Sequence, residues 1–179
     1  MKRTFFSLAL LLAVATLTAQ TKMTAREAAV KIADRILAST TYEFKNTKTG
    51  EIYKSVKKLP LDMDVKVACK YNNWHYTNGV TNMALMELGD KLGDKKYEKY
   101  VLKNMNFVFN EGNLDFFRKQ YDEAFKRDGW NAVRKLSWHM IFRGKRLDDN
   151  GPMGASLIEL QLKYPNDSFL GYINEIGRA

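Results

Sequence analysis

Between Asn78 and Val108 the sequence writes two apolar stripes at helical spacing with a glycine between them, and this constrains the fold more than any other feature. Val80, Met83, Ala84, Leu88 and Leu92 fall on one side of a first helix, which Gly93 ends. Asp94 stands where it can cap a second helix, with Tyr97, Tyr100, Val101, Met105 and Val108 as its apolar side and Gly112 closing it. A helical hairpin of this kind cannot hide both stripes alone, so further helices must cover it. Thr24-Ala25-Arg26-Glu27 is a capping box that opens a helix carrying Ala28, Ala29, Ile32, Ile36 and Leu37 on one face. Leu114 to Lys126 is predicted as a helix with Phe117, Tyr121 and Phe125 four apart, broken at Asp128-Gly129. Ala132 to Phe142 is predicted as another, ended by Gly144, with a polar loop from Arg146 to Gly151. Pro152 suits the first turn of a helix bearing Leu157, Ile158 and Leu160, and Ser168 would cap a last one with Phe169, Tyr172, Ile173 and Ile176. Residues 42–73 are less regular, with a polar turn from Asn46 to Gly50, and no strand-like alternation exceeds four residues. The expected fold is all-α.

A weak internal repeat supports stacked hairpins. At an offset of 72 residues, Leu85 meets Leu157, Glu87-Leu88 meets Glu159-Leu160, Tyr97 meets Phe169, and Tyr100-Val101 meets Tyr172-Ile173. Related hairpins in series point to a solenoid or an α/α toroid, although two unrelated amphipathic hairpins would share part of this pattern.

The start of the chain reads differently. Met1-Lys2-Arg3 precedes an apolar run from Phe5 to about Leu17 and a small residue at Ala19, the pattern of a secretory signal peptide over residues 1–19, against the competing reading of a buried first helix. The run is short for a membrane span, so no membrane association is expected after cleavage, and residues 20–179 form one exported domain, placed in the periplasm. Cys69 is the sole cysteine, which excludes an internal disulfide and marks it as a small buried residue. The net charge is +9, of which Lys2 and Arg3 supply two. A polyanionic partner fits that charge, but so does a solvated surface, because basic and acidic residues are interspersed. Export and the lack of a dense basic stripe exclude nucleic acid as the expected partner.

The chemistry-bearing residues are few. His75 and His139 are the only histidines, without metal-ligand spacing, and no phosphate loop or serine elbow is present, so no metal and no cofactor is expected. Trp74-His75-Tyr76-Thr77-Asn78-Gly79 stands just before a helix, where aromatic faces can stack on sugar rings and Asn78 can bond hydroxyls; core packing is the competing role for each Trp, and is preferred for Trp138. Trp130-Asn131 is a further aromatic patch. Asp148 and Asp149 are adjacent carboxylates ahead of a helix, either acid–base machinery for a glycoside or a capping pair facing the helix dipole.

Together these runs resemble a known family. Trp74-x-Tyr76-x-Asn78-Gly79-Val80, the stretch Leu92-Gly93-Asp94-Lys95-Lys96-Tyr97 and Leu147-Asp148-Asp149-Asn150-Gly151-Pro152-Met153-Gly154 resemble the first hairpin and the next loop of glycoside hydrolase families 88 and 105, the unsaturated glucuronyl and rhamnogalacturonyl hydrolases. The resemblance implies an (α/α)6 toroid, of which this chain would hold about the first half. It also implies hydration of the C4–C5 double bond of a 4,5-unsaturated uronyl residue in an acidic oligosaccharide. Asp148 or Asp149 would be the supporting carboxylate, Asp148 being preferred because it follows Leu147, with Trp74, His75, Tyr76 and Asn78 lining the sugar site. The family's principal acid lies in a later Trp-x-Asp run, which none of Trp74, Trp130 and Trp138 begins. The chain is therefore expected to be truncated. The alternative expectation is a non-enzymatic helical repeat module that binds glycan or protein.

Overall fold

The computed structural model describes residues 23–143 and 147–177, so the segment read as a signal peptide lies outside the described residues. The chain divides into two units, Met1–Ile32 and Ala33–Ala179. In the first, Thr24 and Glu27 form the expected capping box: the Thr24 N–H donates to the Glu27 carboxylate at 2.9 Å and the Glu27 N–H to Thr24 Oγ1 at 3.2 Å. This opens α1 (Ala25–Ser39), which runs across the division and ends where Ser39 and Thr40 turn their hydroxyls back onto carbonyls of the last turn.

The protein is mostly helical, 68% helix with six helices described, but it is not all-α. The connection after α1 contains a small antiparallel sheet of β1 (Phe44–Asn46), β2 (Ile52–Tyr53) and β3 (Val65–Val67), in the order β2-β1-β3. Asn46 Oδ1 accepts from the N–H groups of Lys48 and Thr49, and Gly50 takes φ 79°, which closes the β1–β2 turn. Strands of two or three residues are too short to leave a periodic signal; fully buried Phe44 and Val65 hold this sheet.

Two hairpins follow the expected plan. In the first, α2 (Tyr76–Leu92) ends at Gly93, left-handed at φ 68°, and α3 (Lys96–Val108) buries all five residues of its predicted apolar side. In the second, α5 (Leu147–Lys163) leads into α6 (Asp167–Ile176), with Phe169 and Tyr172 buried. Between the hairpins, α4 (Glu111–Val133) is interrupted at Asp128 and Gly129, where Gly129 has φ 52°. The two hairpins lie side by side in the same direction. Trp74 meets Asn150, Gly79 meets Pro152 and Met153, and Lys163 reaches Asp90 and Glu98. Both α2 and α5 have 17 residues. The starts Tyr76 and Leu147, the ends Leu92 and Lys163, and the following starts Lys96 and Asp167 are each 71 residues apart, one short of the sequence offset.

Several local expectations are corrected. The helix predicted from Ala132 to Phe142 does not form: after Val133 the backbone turns, Trp138 takes φ 56°, and only Ile141–Arg143 winds into a 3-10 turn. Bonds to the preceding connection replace helical ones. The Trp138 N–H donates to Asn73 Oδ1 at 3.2 Å, its indole N–H to the Asn72 carbonyl at 2.7 Å, and the Val67 N–H to Ser137 Oγ at 3.0 Å. Residues 147–151, expected as loop, open α5, so Pro152 lies inside that helix and packs against the bare backbone of Gly79. Gly112 does not end α3 but sits in the first turn of α4 under the Asn110 cap, and Asn166 rather than Ser168 caps α6. On α2 the buried side is Gly79, Asn82, Leu85, Met86 and Gly89, so Val80 is exposed.

Candidate functional site

The segment from Cys69 to His75 is extended backbone around one 3-10 turn, Lys70–Asn72, before α2 begins. It is pinned from several sides. Asn72 Nδ2 donates to the Thr41 carbonyl, and Asn78 Nδ2 bridges the carbonyls of Lys70 and Asn73 at 2.8 and 2.7 Å. His75 caps α2, its Nδ1 accepting from the Thr77 N–H at 3.4 Å.

The predicted sugar-site residues separate into two sets. Trp74 is 1% exposed, edge-on to Phe109 and Tyr172, with its indole N–H donating to Asn150 Oδ1 at 2.8 Å. Its ring is a core element and offers no face for stacking, because burial among aromatic rings and a buried amide satisfies both its apolar body and its donor. Asn78 spends its amide on backbone carbonyls. His75 and Tyr76 are exposed, with ring centroids 4.9 Å apart. An open depression of about 300 Å³ lies beside them, lined by Lys70, Tyr71, Asn73, His75, Thr77, Asn78 and Thr81.

Asp148 and Asp149 fall in the first turn of α5, and their side chains lie outside the described residues. Asn150, next along the turn, is 4% exposed and accepts from Trp74 and, at 3.4 Å, from the Tyr172 hydroxyl. Burial pushes the Tyr172 phenol well above its ordinary range, which keeps it neutral and a donor. Through this amide the backbone carrying Asp148 and Asp149 is tied to the segment carrying His75 and Tyr76. Asn150 carried no role in the sequence reading, since no local pattern announces a contact with a residue so distant in the chain.

Trp138 is fully buried, as expected, and Cys69 is a free buried thiol. Trp130 is 37% exposed with the Arg143 guanidinium 3.9 Å from its ring. Among the described residues no three His, Cys, Asp or Glu side chains gather as metal ligands, and no helix is long and apolar enough to cross a membrane. The sequence matches no protein-family model and no curated protein.

Proposed function

We propose that this chain is the N-terminal part of an exported, periplasmic (α/α)6-toroid glycoside hydrolase acting on 4,5-unsaturated uronyl oligosaccharides of the rhamnogalacturonan type. The observation that carries the reading is the meeting of two segments far apart in sequence. Two parallel hairpins bring Trp74–Asn78 and the first turn of α5 to the same end of the helix pair, joined by the Trp74–Asn150 hydrogen bond. Parallel hairpins repeating at a constant offset are also the building unit of a toroid. In this reading His75 and Tyr76 contact the sugar, while Trp74 and Asn78 hold them in place. Asp148 or Asp149 is the supporting carboxylate. The reaction protonates C4 of the vinyl ether and adds water at C5; the resulting hemiketal opens and releases the neighbouring sugar. The principal acid belongs to a Trp-x-Asp run that is not among these 179 residues, so this chain supplies binding and support.

The test is a titration of isotope-labelled protein with an unsaturated galacturonyl-rhamnose disaccharide. Expected are shifts at His75, Tyr76 and residues 147–150, with affinity about tenfold weaker in Asp148→Asn or Asp149→Asn. Absence of shifts there at millimolar ligand rejects the reading. A second reading, a helical repeat module binding glycan or protein without catalysis, is favoured by the burial of Trp74. It predicts binding that is indifferent to both aspartates and to the double bond.

A further inference from the structure

Lys70 and Tyr71 line two depressions at once. One is the depression beside His75; the other, of about 380 Å³, also has Arg35, Thr41 and Ala68 in its lining. Sharing two residues, they are neighbouring parts of one groove along the Lys70–Asn72 turn. That turn is held at both ends. Asn72 Nδ2 donates to the Thr41 carbonyl, and the Lys70 carbonyl accepts from Asn78 Nδ2 at 2.8 Å. The Lys70 ammonium lies 5.1 Å from the centre of the Tyr71 ring. Arg35, Lys70 and His75 line the groove, and among the described residues no Asp or Glu does. Among the described residues neither Lys70 nor Arg35 is in an ion pair. Two neutral donors add to the cations. Asn73 Oδ1 accepts from the Trp138 N–H at 3.2 Å, which leaves Asn73 Nδ2 as a donor. His75 Nδ1 accepts from the Thr77 N–H, so the proton of the neutral imidazole sits on Nε2. Cations and donors without an acidic neighbour, on a fixed turn, suit an anionic ligand that also carries hydroxyls.

We infer that this groove binds an acidic oligosaccharide across Lys70. The Lys70 ammonium takes the carboxylate of the unit beside His75, and Arg35 takes that of a unit farther along. Lys70 is then the residue that tells an acidic sugar from a neutral one. The inference rests on the proposed hydrolase reading for the class of sugar, but Lys70 and Arg35 have no part in that reading.

The experiment titrates labelled protein with D-galacturonate, with D-galactose as the neutral control, and with trigalacturonate, which carries a carboxylate on every unit. Galacturonate is expected to shift Tyr71, His75 and Thr77, and trigalacturonate to shift Thr41 and Ala68 as well. Lys70→Met keeps the length of an exposed side chain and leaves the backbone carbonyl in place, so the fold is unchanged. It should weaken both acidic ligands about fivefold, and Lys70→Arg should restore binding. Arg35→Gln should weaken trigalacturonate alone. The inference is overturned if galactose binds as well as galacturonate, if Lys70→Met binds within about 1.5-fold of the parent, or if trigalacturonate leaves Thr41 and Ala68 unmoved. The two readings fail separately. Saturated and unsaturated galacturonyl ligands binding alike, with Lys70 still required, would remove the hydrolase reading and keep the groove. An unsaturated disaccharide that shifts His75 and Tyr76 equally well in Lys70→Met would do the reverse.

Discussion

Glu98 offers the sharpest test of how the two hairpins hold together. It lies in the first turn of α3 and is 7% exposed. Its carboxylate accepts from Lys163 Nζ at 2.5 Å and from the Tyr164 hydroxyl at 2.6 Å, both at the end of α5. Lys163 also stands 3.7 Å from Asp90 on α2. Glu98→Ala removes a charge-assisted hydrogen bond and a phenolic one at once. Breaking a fully buried pair from one side costs about 3–5 kcal/mol. Here the Lys163 side chain is 36% exposed, so water recovers part of its solvation. A loss of about 2–3 kcal/mol follows, or about 6–10 °C in melting temperature for a chain of this size. The pH dependence has a definite sign. The hydrogen bond from Lys163, and after it that from Tyr164, holds the Glu98 carboxyl below its ordinary 4.5. Its contribution is present above that unfolded value and is lost as pH falls through the lower folded one. Lys163 is raised above its ordinary 10.5, chiefly by Glu98, so its contribution is present below 10.5 and is lost as pH rises through the folded value. Thermal unfolding followed by circular dichroism at about pH 3, 7 and 11 should show the largest gap between parent and Glu98→Ala at neutrality. A neutral gap below about 0.5 kcal/mol, or an equal gap at acid pH, would refute the reasoning.

Gly79→Ala places a Cβ 2.4 Å from the backbone of both Pro152 and Met153; with no flexible side chain to yield, about 3 kcal/mol should be lost in urea unfolding. Gly93→Ala has open space but φ 68°, so about 1 kcal/mol is expected from backbone strain alone, and a comparable loss at both glycines would contradict the packing assigned to Gly79. Trp138→Phe keeps a ring in the core but strips the buried Asn72 carbonyl of its donor, which should cost about 1–3 kcal/mol and change the near-ultraviolet dichroism.

Helix existence was legible wherever the stripe was long and its ends were marked. Tyr97, Tyr100, Val101, Met105 and Val108 read correctly because α3 packs on one side only and its period is undisturbed. The side of α2 did not read correctly, because its close approaches, to α5 at Gly79 and to the start of α3 at Gly89, use glycines, which carry no hydropathy. Residues 134–143 failed for another reason. Their apolar content suits a helix, but Ser137 and Trp138 find better partners in Val67, Asn72 and Asn73, and those partners lie about seventy residues away. The short sheet failed on length alone, since two or three residues cannot establish a period.

The aromatic run before α2 shows why the candidate site was only half legible. Sequence treats Trp74, His75 and Tyr76 as one motif, yet the backbone does not. His75 is extended, at φ −155° and ψ 146°, and the helix starts at the next residue. Successive side chains of an extended stretch point to opposite sides, so the tryptophan that turns into the core leaves its neighbour in solvent. Core and sugar platform draw on the same residue types, and hydropathy cannot say which of three aromatic residues is the anchor. The deciding partners are Asn150, Phe109 and Tyr172, none within thirty residues of Trp74. The same partners set the geometry of the run: a buried indole fastened to Asn150 in the first turn of α5 leaves an exposed imidazole and phenol at the same end of the helix pair as that turn.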